Sequence, residues 1–225
     1  MAISKRRNPL HTSICKKDGK KKIKLVENIR ETLENFIKKN DNSTFVYLIS
    51  LNNQRNSPLK TLRSLLLPGR VFYGKNKVMR IAFGTKPEDE IHDNIHKISK
   101  NINGETAVLI TSEDPEVVIK KVKEYKVRDF SKAGNIATDT IVLKVDGKEF
   151  DEIPGSMEPQ FRQLGMPTAL NMGKIILMGD FTLCEKDKPL TPNQTHLLKL
   201  FGIRMSLFEA NVLGFWNDGH YKQLA

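Results

Sequence analysis

With 225 residues, 39% apolar and 28% charged, the chain can hold one large domain or two small ones and has enough apolar side chains for their cores. No apolar run approaches the roughly 18–20 residues of a membrane helix, and the opening Met-Ala-Ile-Ser-Lys-Arg-Arg lacks an apolar signal core, so neither a membrane span nor a signal peptide is expected. The formal net charge of +11 calls for a partner, because clustered cations repel one another unless a polyanion is at hand.

Residues 1–20 carry Lys5-Arg6-Arg7 and Lys16-Lys17 with little to bury; they read as a basic arm, disordered alone, that acts as a nuclear address or orders on RNA. From 20 to 39, Ile23, Val26, Ile29, Leu33, Phe36 and Ile37 recur at helical spacing. Thr44–Leu51 is a β-rich run, continuous enough to be buried on both faces. Ser57 and Pro58 open a helix to Leu67, which Pro68-Gly69 stops. Val71, Phe72 and Tyr73 suit a short strand; Gly74 breaks it, and the following residues form a helix ending at Gly84. A charged helix over 87–100, the strand Thr106–Thr111 and a helix from Asp114-Pro115-Glu116 to Tyr125 come next. This alternation predicts an α/β sandwich with a small sheet.

After Arg128 the texture changes to short apolar runs among Gly and Pro, such as Thr140–Val145 and Lys174–Met178, which read as a second, smaller β-containing module. Thr191-Pro192-Asn193-Gln194 is a capping-box helix start, closed at Gly202. Leu207–Trp216 reads as a strand that returns to the first sheet. Cys15 and Cys184 lie far apart and read as free thiols of a reducing compartment, cytosol or nucleus.

The basic charge is concentrated. No acid occurs between Asp41 and Glu88, where Arg55, Lys60, Arg63, Arg70, Lys75, Lys77, Arg80 and Lys86 give +8. The first 25 residues give another +8, which leaves −5 for the rest. The two blocks meet the footprint of a nucleic-acid binder. Gly74-Lys75-Asn76-Lys77 is its centre: a glycine corner admits a close ligand, the new helix exposes unpaired N–H groups, and lysines without nearby acids are able to neutralise phosphate.

Catalytic patterns fail on inspection. Gly69–Asn76 nearly spells a phosphate-binding loop but has Asn76 where a magnesium-holding hydroxyl belongs, and its spacer is strand-like. His92 and His96 share the spacing of a zinc helix without its glutamate, and read instead as a solvated helix face. No catalytic residue, metal or cofactor is expected, and no membrane partner.

Several stretches carry a resemblance: Ser4-Lys5-Arg6, Arg55-Asn56-Ser57, Phe72–Met79, Lys132–Asn135, Ser156–Leu170, Leu190-Thr191-Pro192 and Leu198–Gly202. Together they resemble the large-subunit ribosomal stalk-base proteins, and more closely their assembly-stage paralogues, the mRNA turnover protein 4 family of ribosome assembly factors. The resemblance implies an rRNA-binding α/β domain over 21–127 with 190–225, a smaller inserted α+β domain at 128–189, and the arm at 1–20. It implies a non-catalytic factor that holds the stalk-base rRNA of the pre-60S particle until the stalk protein replaces it. Its partners would be that rRNA, a neighbouring stalk-base ribosomal protein and a dual-specificity phosphatase-like release factor. Its location would be nucleolus and nucleus, extending to the cytoplasm on late particles. The residues carried over are Gly74, Lys75, Asn76 and Lys77, with Arg55 and Arg63 nearby and Lys5, Arg6 and Arg7 more weakly; the charge map adds Lys60 and Arg80. The stalk protein's further helices and acidic tail have no counterpart before Ala225, which favours the placeholder, although an acidic tail borne by some of its relatives is missing too. Two other readings stay open: an RNA-turnover factor, and an adaptor working through the inserted module, with Met157–Leu170 as partner surface or core.

Overall fold

The computed structural model of the protein describes residues 7–40, 44–145 and 149–224. In chain order the elements are α1 (Arg7–Asn40), β1 (Phe45–Asn52), α2 (Asn56–Leu65), β2 (Arg70–Tyr73), α3 (Asn76–Phe83), α4 (His96–Asn101), β3 (Thr106–Thr111) and α5 (Pro115–Glu124). Then follow β4 (Val127–Asp129), β5 (Ile141–Leu143), α6 (Glu158–Gln163), β6 (Thr168–Asn171), β7 (Lys174–Leu177), β8 (Phe181–Cys184), α7 (Pro192–Leu200), β9 (Ser206–Asn217) and β10 (His220–Gln223). The chain divides into two compact units, Met1–Tyr125 with Glu209–Ala225, and Lys126–Phe208.

The first unit is built on an antiparallel sheet in the order β10-β9-β1-β3-β2. β3 is buried along its whole length and β1 from Val46 to Ile49, so both faces are covered there. Val46 and Leu48 of β1 and Val108 and Ile110 of β3 share one core with Ile29 and Leu33 of α1, Met79 and Phe83 of α3, and Ile98 of α4. The strand period puts Tyr47, Ile49 and Leu109 on the opposite face; all three are fully buried. Leu59 and Leu62 of α2 and Val118 and Val122 of α5 are buried as well. Arg30 of α1 donates to the carbonyls of Ile81 and Ala82 at 3.1 and 3.2 Å, placing a cation where the last turn of α3 presents unpaired carbonyls. Gly84 ends α3 at φ +86°, and a Cβ there would meet the backbone of Asp89 and Glu90 at 2.8 Å. Only glycine satisfies both demands.

The second unit has its own core, including Leu143, Phe161, Met166, Ile175, Leu177, Leu183, Leu197 and Leu198. Two small antiparallel ladders frame it, β5 with β8 and β6 with β7. The Glu158 carboxylate is 1% exposed and is held by Arg162, at 2.6 and 3.0 Å, and by the Thr168 hydroxyl at 3.4 Å. A buried carboxylate without such donors would be strongly destabilising. In the block Met157–Leu170, Phe161 and Met166 enter the core, whereas Leu170 is half exposed. Cys184 is a buried free thiol whose pKa burial raises.

Among the expectations corrected, three concern whole segments. The first concerns residues 7–20, expected as part of a disordered arm: they form the start of α1. Pro9 falls in the first turn, where its missing N–H costs nothing, and the lysines downstream are good helix formers. Residues 1–6, with Lys5 and Arg6, lie outside the described residues. The second is the helix predicted over 87–100, which is only α4, His96–Asn101. Asn94 takes φ +61°, which interrupts a helix, and the Glu90 carboxylate accepts from the N–H groups of Asn94 and His96. His92 therefore precedes the helix rather than sharing it. His96 is no solvated side chain: it is 7% exposed, with Nδ1 2.7 Å from Glu90 Oε2.

The third is the assignment of 190–208 to the first domain; these residues pack with the second unit, because the apolar face of α7 (Leu197, Leu198) completes that core. The capping box of Thr191 and Gln194 forms as expected. α2 also starts earlier than Ser57 would place it, at Asn56 with Arg55 as its N-cap.

Truncating Phe161 to Ala should cost about 3–5 kcal/mol in the second unit, read by denaturant unfolding; a loss below 1 kcal/mol would contradict its core position. The hydrogen bond from the His96 side chain lowers the pKa of Glu90 below its ordinary 4.5. Its contribution is therefore fully present above 4.5 and is lost as pH falls through the lowered folded value. Glu90→Gln should make unfolding less pH-dependent in that acid range and leave a smaller difference between pH 7 and pH 3.

Candidate nucleic-acid interface

The site follows from strand direction. β3 runs antiparallel to both β1 and β2, so β1 and β2 are parallel to each other and end at the same side of the sheet. The loop after β1, with Arg55, and the corner after β2, with Gly74 to Lys77, therefore lie at that one end. A single turn ties them together: Glu105 O accepts from Leu51 N–H at 2.8 Å, and Gly104 O accepts from Asn76 Nδ2 at 2.8 Å.

At the corner, Lys75 is the N-cap of α3 with extended backbone, φ −67° and ψ 123°. A lysine side chain has no acceptor, so it cannot cap; instead the Lys75 carbonyl receives Val78 N–H at 2.8 Å and Met79 N–H at 3.2 Å. The N–H groups of Asn76 and Lys77 have no intrahelical acceptor and add to the positive end of the helix dipole. Lys75 and Lys77 are exposed and enter no ion pair among the described residues. These features together place backbone donors between two ammonium groups, a set that suits an anion.

Asn76 and Arg80 work partly inward. Asn76 spends an amide donor on Gly104, and the Arg80 guanidinium donates to Ile102 O at 2.6 Å and Asn103 Oδ1 at 2.7 Å. Both acceptors are neutral, so Arg80 keeps its charge while it props the turn that joins the two strand ends. Gly74 is not in the left-handed region, and a Cβ there would lie 3.2 Å from Leu25 Cδ2. Its smallness leaves room beside α1 rather than permitting an unusual backbone.

Lys60 and Arg63 are exposed on α2, which starts at this end and leads away from it; at 1.5 Å per residue they stand about 6 and 10 Å along the helix. Arg70 opens β2 and so lies at the opposite end of the strand. Arg7 is placed only as the first residue of α1. Sequence reasoning missed Glu105, which is remote in sequence from the acid-free run but sits on the tying turn. Tyr73 senses it: burial first, and the Glu105 carboxylate second, raise the phenol pKa. Only the pairing of β3 with β2 reveals this acid, and no local motif signals it. Among the described residues no group of three metal-ligating side chains is present.

Comparison with known proteins completes the picture. Residues 17–127 match the family described as ribosomal protein L10, and residues 131–203 match the insertion domain in 60S ribosomal protein L10P. The ribosome assembly factor mrt4 of Dictyostelium discoideum is 34% identical over 93% of this chain and 90% of its own length. That of Neurospora crassa is also 34% identical, over 92% of this chain and 85% of its own. The large ribosomal subunit protein uL10 of Pyrobaculum aerophilum is 26% identical over 91% of this chain but only 56% of its own length. With such identity across both units, the chain belongs to the Mrt4 family of ribosome assembly factors, built on the ribosomal protein L10 domain and its insertion domain.

Proposed function

We propose that the protein is a non-catalytic assembly factor that binds large-subunit rRNA at the stalk base of the pre-60S particle, through the sheet end that carries Arg55 and Gly74–Lys77. The observation that carries this reading is the corner itself. Two exposed lysines flank helix-start N–H groups at the shared end of β1 and β2, and the intramolecular bonds of Asn76 and Arg80 hold that end in place before RNA arrives. Phosphate contacts of this kind position a protein on RNA and set its affinity. Asn76 retains its Oδ1 and one amide hydrogen for sugar or base edges.

The placeholder role rests on the double similarity. One stretch of chain resembles both an assembly factor and a ribosomal protein, and two proteins of the same domain architecture compete most simply for the same rRNA. The chain would then leave before the ribosomal protein enters, beside a neighbouring stalk-base protein and with the help of a phosphatase-like release factor. Nucleolus and nucleus are where such particles mature.

Each neutralised phosphate contributes about 0.7–0.9 to the slope of log affinity against log salt. Replacing Lys75 and Lys77 by Gln should flatten the slope for a stalk-base rRNA fragment by about 1.4–1.8; an unchanged slope would place the phosphates elsewhere. Gly74→Glu should also abolish retention on pre-60S particles in sucrose gradients, through bulk against Leu25 and repulsion of phosphate. Asn76→Ala removes one exposed hydrogen bond and should cost only about 0.5–1.5 kcal/mol of stability, yet weaken RNA binding by loosening the tie to Gly104. Binding equal to the unchanged chain would show that the tie is dispensable.

A further inference from the structure

A cleft of about 250 Å³ opens in the first unit where β1 begins, at the end of the sheet away from Arg55 and Gly74. Thr44, just before β1, lines it together with His92 and Asp93, before α4, and with Trp216, Asp218 and Gly219 at the β9–β10 turn. The walls are tied to each other: Trp216 Nε1 donates to Asp93 O at 3.0 Å, and Asn217 Nδ2 donates to Thr44 O at 3.3 Å. A Cβ on Gly219 would lie 3.7 Å from Asp93 Cβ, so the turn stands directly beside that loop. Two polar atoms of the lining residues have no partner. Thr44 is only 3% exposed and its Oγ1 makes no hydrogen bond; the buried His92 Nε2 makes none either. Native structures seldom leave such atoms unsatisfied, so the pair points to a group that this chain does not itself supply. The Asp93 and Asp218 side chains are exposed, and their carboxylates enter no hydrogen bond or ion pair among the described residues.

We propose that this cleft receives an arginine side chain from a protein partner. Charge selects a cation. Between Lys86 and Lys97 stand Glu88, Asp89, Glu90 and Asp93 without a lysine or arginine, and Asp218 joins them at the cleft. Glu90 is engaged with His96, but the other carboxylates form no ion pair among the described residues. In a chain of net charge +11 this is a negative pole, which repels the phosphate that the Gly74 corner suits. No three metal-ligating side chains converge there among the described residues, so the donor set favours an organic cation. Size selects a single side chain, since drug-sized ligands need about 300–1,000 Å³. Shape selects arginine over lysine. Its planar fork of N–H donors is able to serve a rim carboxylate and also the buried Thr44 Oγ1 and His92 Nε2, the latter in the tautomer that leaves Nε2 unprotonated. Ile37 and Ile91 line the same cleft and offer apolar surface to the methylene stem.

Trp216 is the single tryptophan of the chain, so its fluorescence reports on the cleft. Titrating the full chain with Nα-acetylarginine amide should give a saturable change. Nα-acetyllysine amide should bind more weakly, and the neutral isostere Nα-acetylcitrulline amide at least about tenfold more weakly. Asp93→Asn with Asp218→Asn should weaken the arginine probe by at least about tenfold. Thr44→Val removes the unpartnered hydroxyl at nearly constant volume, so the thermal midpoint should hold or rise while the probe binds about fivefold more weakly. No saturable change, equal binding of either control probe, or unchanged binding by the variants would overturn the proposal, as would affinity lost together with the midpoint. The source of the side chain is read in cells, with a photo-crosslinking amino acid at the exposed position 220, next to the cleft, and purification under denaturing conditions. The expected adduct is with an arginine-containing segment of another protein, reduced at least about tenfold by Asp93→Asn with Asp218→Asn. An adduct with RNA, an adduct with a second copy of this chain, or no protein adduct would overturn the proposal. Failure of the RNA reading would appear in the salt slopes of the Lys75 and Lys77 variants and leave the fluorescence titration untouched.

Discussion

β3 lies between β1 and β2 and opposes both, and the position of every group at the candidate interface depends on that arrangement. It makes the outer two strands parallel, so that two loops distant in sequence open at one end of the sheet. The turn before β3 enters the same end and bonds to both. Leu51 N–H and Asn76 Nδ2 converge on consecutive carbonyls, Glu105 and Gly104, and Arg80 braces the turn from the other side. Each bond contributes only about 1 kcal/mol. Their combined effect is geometric: the unpaired N–H groups at the start of α3 are held in place within the free protein, which would reduce the ordering that the proposed phosphate contact requires.

The two units differ in electrostatic character. Nearly all of the net charge belongs to the first, which presents its cations at a helix start and along α2. The second is almost neutral.

Much of the first unit was legible because its elements carry local punctuation. Phe72-Tyr73-Gly74 marks a strand end, Gly84 a helix end, and Asp114-Pro115 a helix start, and each falls where the pattern puts it. The stretch 85–95 was not legible: its charges imitate a helix surface, while the deciding features are the left-handed Asn94 and a Glu90 carboxylate that folds back on two N–H groups. Residues 190–208 went to the wrong unit since the capping box at Thr191 tells where α7 begins but not which core its leucines enter. The cationic corner was visible in the sequence as a cluster. That Asn76 and Arg80 bond inward, and that Glu105 stands among the cations, required the sheet register. Ile175 and Ile176 likewise look alike until pairing with β6 puts one in the core and the other in solvent.

The most direct test of the central claim compares binding of the chain to the isolated stalk-base rRNA fragment and to a scrambled RNA of equal length, each titrated with salt. A seated rRNA-binding factor should prefer the cognate fragment at physiological salt, with the preference persisting as salt rises. Equal and equally salt-sensitive binding to both RNAs would reduce the first unit to a general polyanion binder and contradict the claim.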